Sequence, residues 1–154
     1  MKKFGTGIVA AAMFFIMGAA EARASDLVAG GHFGWAKQSD LVYGVNFTAH
    51  PYDMYGLRLD LTFGDGFVSA NPAFIVYPVA YEEMAFGILG GPGITHVTGQ
   101  DTKFGLNIGA LGTVKLGPSI EVGLDSRYIF PIEGDGGFML FATLGFVFNM
   151  GDSW

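Results

Sequence analysis

Cysteine is absent from the chain, which excludes a disulfide scaffold, a thiolate metal site, a cysteine nucleophile and a lipidated N-terminal cysteine. Charge is scarce: 14% of residues are Asp, Glu, Lys or Arg, against roughly a quarter in ordinary soluble domains. Basic residues are scarcer still, 8 against 14 acids, so the patch that would neutralise the phosphates of a nucleic acid is missing. Past the N-terminus there is no long uninterrupted apolar run. Yet 51% of the chain is hydrophobic, with 25 glycines, 15 phenylalanines and 6 tyrosines. So much aromatic residue at so low a charge excludes intrinsic disorder. The 154 residues allow one domain. An apolar, glycine-rich and aromatic-rich composition of this kind points to a membrane.

The first residues read as a targeting segment. Lys2-Lys3 is a short basic start, Ile8 to Ala20 is apolar apart from Gly18, and Ala22-Arg23-Ala24 is a small-x-small cleavage site. The apolar stretch falls well short of the ~20 residues that span a bilayer as a helix. A signal peptide over 1–24, cleaved before Ser25, is therefore expected, and the exported chain is 25–154. The dibasic start and short apolar core look bacterial.

The rest of the chain alternates. Period-2 alternation marks a strand with two unlike faces. Leu41–His50 sets Leu41, Tyr43, Val45, Phe47 and Ala49 against Val42, Gly44, Asn46, Thr48 and His50. In Met54–Gly64, Tyr55, Leu57, Leu59, Leu61 and Phe63 alternate with Gly56, Arg58, Asp60 and Thr62. Phe104–Leu116, Ser119–Phe130 and Phe138–Met150 repeat the pattern. Leu27–Ala36, Phe67–Tyr77 with its Pro72, and Met84–His96 with Gly90-Gly91-Pro92-Gly93 carry it more faintly. These eight segments are joined by short connections: Pro51–Asp53, Pro78–Glu83 and Gly117–Ser119 in one set, and Lys37–Asp40, Gly64–Gly66, Val97–Lys103 and Pro131–Gly137 in the other. No connection resembles a crossover helix, so neighbours must pair antiparallel.

Eight such strands close either around a soluble core or with their apolar side facing lipid. The polar face decides between the two. It is mostly Gly, Thr, Asn and Ala, with six charges: Arg58, Asp60, Lys115, Glu121, Asp125 and Arg127. A soluble barrel needs more charge on its water-facing side and has no use for so many glycines there. A narrow eight-stranded interior is filled by side chains, and glycines with a balanced charge cluster suit it. Strands of ~10 residues also suit a tilted crossing. The sequence thus predicts an all-β, eight-stranded antiparallel up-and-down transmembrane β-barrel.

In this pattern 25–154 resembles the small eight-stranded outer-membrane proteins of the OmpA/OmpX/OmpW-like β-barrel superfamily. Thr143-Leu144-Gly145-Phe146-Val147-Phe148-Asn149-Met150 resembles the terminal-strand signal read by the barrel-assembly machinery, with Thr143, Gly145, Phe148 and Met150 at its key positions. The family ends on an aromatic, whereas this chain continues to Trp154, which shares the parity of Phe148 and Met150. The resemblance implies a monomer in the bacterial outer membrane, both termini in the periplasm, and contact with outer-membrane lipid and lipopolysaccharide. The four outward loops then hold Asp40, Asp65, Asp101, Glu133 and Asp135 against Lys37 and Lys103. Such acids suit either a bridge to lipopolysaccharide through divalent cations or, as the simpler reading, loop tips kept solvated by charge. Loops this short also weigh against a cell-binding role.

No catalytic set is legible. Barrel enzymes that modify lipid use a serine with a histidine and an acid. The His-x-Ser signature of the deacylases is absent: the comparable stretch is Asp125-Ser126-Arg127, with Ser126 on the lipid-facing parity. The three histidines, His32, His50 and His96, pair with no nucleophile. No cofactor or metal is expected, for want of cysteine, a spaced histidine pair or a calcium loop. Trp35, Tyr43, Tyr55, Phe63, Tyr77, Phe104 and Tyr128 are expected in interfacial girdles. The leading expectation is a structural or weakly permeable porin-like barrel. A lipid-modifying enzyme and a soluble periplasmic ligand-binding barrel are the alternatives. A three-residue turn at Gly117-Pro118-Ser119 sets Lys115 opposite Glu121. Arg58, Asp60, Asp125 and Arg127 form a separate balanced set nearer mid-barrel.

Overall fold

The computed structural model describes residues 26–37, 39–52, 54–81, 83–132 and 134–149. The leader expected over 1–24, the cleavage before Ser25, Glu133, Met150 and Trp154 lie outside these residues. Eight strands follow one another: β1 (Asp26–Ala36), β2 (Leu41–Tyr52), β3 (Tyr55–Gly64), β4 (Phe67–Ala80), β5 (Met84–Val97), β6 (Lys103–Lys115), β7 (Ile120–Pro131) and β8 (Gly137–Asn149). Each pairs antiparallel with the next, and β8 returns to β1 to close the barrel.

The alternation read in the sequence becomes two faces of one wall. Along β3, Arg58, Asp60 and Thr62 are buried in the lumen while Tyr55 and Phe63 stand exposed outside. Along β6, Phe104, Leu106 and Ile108 are exposed and Asn107 is buried. The outer surface is thus a continuous apolar belt, and several of its members are more than half exposed: Leu124 65%, Leu106 60%, Ile88 59% and Phe146 58%. Leu59 and Ala49 share this outward parity but are covered by Leu27, Leu57 and Leu61.

Glycines on the inner face follow from the tight curvature of an eight-stranded wall. A Cβ on Gly34 would run into the carbonyl of Leu140 on β8, and one on Gly105 into that of Phe130 on β7. Only a residue without a side chain lets those backbones approach so closely.

Three prolines placed in connections by the sequence lie in strands instead. Pro51 lies in β2 and Pro78 in β4, each where the ladder to the next strand shifts register, between Ala49 and Tyr52 and between Val76 and Val79. A register irregularity is where a residue without an N–H is tolerated. Pro131 ends β7 opposite Gly105. Only Pro118 keeps the turn position expected of it.

The lumen holds more than glycine and polar residues. Ala36, Val42, Phe67, Ile129, Met139 and Phe141 form an apolar cluster toward the end with the β1–β2, β3–β4, β5–β6 and β7–β8 connections. Ala73, Ile75, Tyr77, Leu89 and Leu111 form another toward the opposite end. Tyr77 is therefore not a girdle residue: it has lumen parity, is 4% exposed, and lies with its ring centroid 5.4 Å from that of His50. The other six aromatics expected at the interfaces are on the outer surface.

Candidate functional site: a charged brace across the lumen

Arg58-Leu59-Asp60 on β3 and Asp125-Ser126-Arg127 on β7 each place an arginine and an aspartate two residues apart. In a strand that spacing puts both side chains on one face, and here the face is the lumen. β3 and β7 lie four strands apart in the ring of eight, on opposite walls. Arg58 Nε donates to both oxygens of Asp60, at 2.9 and 3.1 Å. Arg127 Nε donates to Asp125 Oδ1 at 2.9 Å, and its Nη2 pairs with Asp125 Oδ2.

Each arginine also crosses the lumen. Arg58 Nη2 lies 3.2 Å from Asp125 Oδ2, and Arg127 Nη1 lies 2.7 Å from Asp60 Oδ2. All four side chains are buried. Two guanidinium forks over two carboxylates leave no net charge, which is the condition for holding ions away from water.

Apolar and polar neighbours enclose the brace. The Phe141 ring lies 5.7 Å from the Arg127 guanidinium and 4.8 Å from the His32 ring. On the other side Ala73 stands opposite Arg58 in the β3–β4 register. His32 Nε2 is 3.0 Å from Thr62 Oγ1, and its Nδ1 is 3.9 Å from Asp60. Asn71 donates to Ser69, and Asn107 donates to the carbonyls of Gly91 and Pro92. His32, Asn46, Asn71 and Asn107 lie on the lumen side of their strands, but nothing in the alternation marks them as neighbours of the brace, and the two apolar clusters carry no polar contrast at all.

Lys115 and Glu121 stand apart from the brace. They face each other in the β6–β7 register, at the end of the barrel where β1 begins. Lys115 Nζ lies 3.4 Å from Asp26 Oδ2, and this pair is partly exposed. The ion pair thus goes to Asp26 on β1, a partner 89 residues away that no strand-neighbour argument identifies.

Of the assembly-signal residues, Thr143 and Gly145 face the lumen, Phe148 faces outward, and Met150 lies outside the described residues. Gly145 stands opposite Gly30 on β1 and Glu121 on β7. Ser126 is on the outer face, where its hydroxyl points at the Ala110 carbonyl at 3.4 Å. His32 is on the other side of the wall, and His96 is near Thr102 at the rim, with Nδ1 and Oγ1 3.3 Å apart. Among the described residues, no three of His, Asp or Glu stand together as a metal site.

No family model and no curated protein matches the chain. Solved structures do. The chain is similar to the N-terminal β-barrel domain of Pseudomonas aeruginosa OprF, with TM-score 0.71 and 14% identity over 81% of this chain and 98% of that one. It is similar to the outer membrane protein OprG of the same organism, with TM-score 0.60 and 13% identity over 82% and 97%. A third is Ail, the attachment invasion locus protein of Yersinia pestis, in a complex with the heparin analogue sucrose octasulfate; here the TM-score is 0.55, with 12% identity over 80% and 97%. At such identities the likeness is one of architecture, and the chain has the fold of the small eight-stranded outer-membrane β-barrels.

Proposed function

We propose that the chain is an exported, integral outer-membrane protein whose barrel is a sealed structural element rather than a solute channel. The observation that carries this reading is the pairing of an apolar exterior with an ionic brace enclosed inside. A barrel in water would expose Leu106, Leu124 and Phe146 as part of one apolar surface, far beyond the patch size soluble monomers tolerate. In hydrocarbon the same surface is at rest. Inside, the Arg58–Asp60–Asp125–Arg127 brace and the two apolar clusters occupy the route a solute would take. Conduction needs a path that is wet and weakly binding.

On this reading the signal peptide over 1–24 is removed before Ser25. Both termini and the Pro118 turn face the periplasm, and the Lys37, Asp65, Asp101 and Asp135 loops face outward. The barrel is a monomer surrounded by membrane lipid and lipopolysaccharide, inserted by the barrel-assembly machinery through its last strand. Ser126 faces lipid while His32 is enclosed, an arrangement that supports no serine–histidine chemistry.

The test combines fractionation, gel migration and electrical recording. The expected result is an outer-membrane protein whose unheated band migrates differently from the boiled one, with no large steady conductance in planar bilayers. A soluble protein without a heat shift overturns the membrane reading. A stable, large conductance overturns the sealed lumen.

A further inference from the structure

We infer that the loop end of the lumen holds a binding pocket for a small zwitterion, a molecule carrying one carboxylate and one ammonium group. The pocket goes beyond the sealed barrel proposed above, and only its facing outward rests on that reading. Its volume is about 140 Å³, and Thr95, Val97, Gln100, Lys103, Ile129 and Asp135 are among the residues that line it. A cavity of about 150 Å³ admits benzene, so the occupant has about six heavy atoms. Ile129 belongs to the apolar cluster at this end of the lumen, and Val97 packs against that cluster. A molecule entering from the loops therefore meets an apolar floor and does not pass on to the brace.

The polar groups of the pocket are left wanting partners. Thr95 Oγ1 is buried and, among the described residues, has no hydrogen-bond partner. A buried hydroxyl in that state has lost the hydrogen bonds it made in water. Lys103 stands opposite Thr95 in the β5–β6 register, so an ammonium and a hydroxyl arise from the same part of the wall. Both donate, and together they suit the two oxygens of one carboxylate.

An acid stands across from these donors. The Lys103 ammonium reaches the β7–β8 connection, where a Cβ on Gly134 would lie 3.0 Å from Nζ. Asp135 is the next residue and lines the same pocket, yet the two make no ion pair with each other. Opposite charges held apart around one small space are complementary to a ligand that carries both. A monocarboxylate would leave its charge facing Asp135, and an amine would leave its charge facing Lys103; a zwitterion matches each wall. Its carbon chain rests on Ile129 and Val97, as the apolar part of a small ligand does in a pocket with a few placed polar groups.

The test uses the full chain folded in detergent micelles, with the heat-shifted band as proof of folding, and follows amide and methyl NMR shifts. The probes are β-alanine, butyrate, in which a methyl replaces its ammonium, and propylamine, in which a methyl replaces its carboxylate. The expected result is a saturating set of shifts confined to Thr95, Lys103, Ile129 and the β7–β8 connection. Butyrate and propylamine are expected to bind about tenfold more weakly, which is what one charge-assisted hydrogen bond amounts to. Lys103→Gln is expected to weaken β-alanine by a similar factor, and Asp135→Asn to make butyrate bind as well as β-alanine does. Thr95→Val is expected to weaken both carboxylates and to leave propylamine unchanged. A folded protein whose shifts do not saturate, or that binds all three probes alike, holds only water at this place and overturns the pocket while leaving the sealed barrel intact. Affinities unmoved by Lys103→Gln and Asp135→Asn overturn it as well. The three probes on the unsubstituted protein decide the matter even where a variant fails to fold.

Discussion

Arg58 and Asp125 meet across the lumen at 3.2 Å, from strands on opposite walls of the barrel. This contact ties the two halves of the ring to each other independently of the hydrogen-bonded ladder, and Arg127 and Asp60 make the reciprocal one at 2.7 Å. Four buried charges in mutual contact behave as a unit.

Removing one member of the brace leaves an uncompensated charge. Asp125→Asn is expected to lower the unfolding free energy by about 3–5 kcal/mol, the cost of breaking a buried pair from one side. Replacing all four together, with Met for both arginines and Leu for both aspartates, is expected to be close to neutral or stabilising, because no charge is then left buried. Urea unfolding in detergent micelles checks both variants. A quadruple variant much less stable than Asp125→Asn would show that the brace contributes net stability of its own.

The pairs at the β1 end are expected to be weak. Lys115 is 41% exposed in its side chain and Asp26 23%, so water screens their attraction and a coupling of about 0.2–1 kcal/mol is expected. Glu121, opposite Lys115 in register, is expected to couple to it by a similar amount, as directly opposed charges on a sheet do. Double-mutant cycles with Lys115→Met, Asp26→Asn and Glu121→Gln separate the two. Additivity for Lys115 with Glu121 would leave Asp26 as the only partner that matters.

The apolar lumen clusters are expected to act as a packed core. Ile75 and Leu89 are fully buried and lie in one cluster with Leu111 and Tyr77. Ile75→Ala is expected to cost about 2–5 kcal/mol, and, because the brace remains, to leave the protein without steady conductance. Bilayer recordings on this variant are the check. Channel opening by Ile75→Ala alone would mean that the cluster, and not the brace, closes the lumen.

The alternation read from the sequence and the strands in the structure agree closely because contrast carries the signal. Phe104, Leu106 and Ile108 against Gly105, Asn107 and Gly109 state which side faces which solvent. The same contrast fails where both faces are apolar. Along β4, Ser69 and Asn71 are the polar residues of the inward face, and past Asn71 the strand is apolar on both sides, so nothing marks Ile75 and Tyr77 as inward and Tyr77 reads as a girdle residue. Prolines misled in the other direction: Pro51 and Pro78 read as turns because the register shifts that accommodate them are properties of two strands, not of one segment. The brace was legible as a charge set from parity, but its cross-lumen pairing depends on which walls face each other at which height. Asp26 was invisible as the partner of Lys115 for the same reason.

Gly30 and Gly31 are neighbours in β1 with opposite expectations. Gly30 faces inward, and a Cβ there would collide with the Leu144 carbonyl and the Gly145 Cα of β8. Backbone cannot swing aside as a side chain can, so Gly30→Ala is expected to destabilise by about 1–3 kcal/mol, as overpacking does. Gly31 faces outward into free space apart from the Gly44 carbonyl at 3.6 Å. Gly31→Ala removes the entropy cost of a strand glycine and is expected to stabilise by about 0.5–1 kcal/mol. The two variants differ by one position and share composition, so a comparison of their unfolding midpoints isolates the facing of the side chain. If both prove destabilising to the same extent, the inward and outward assignments along β1 are wrong.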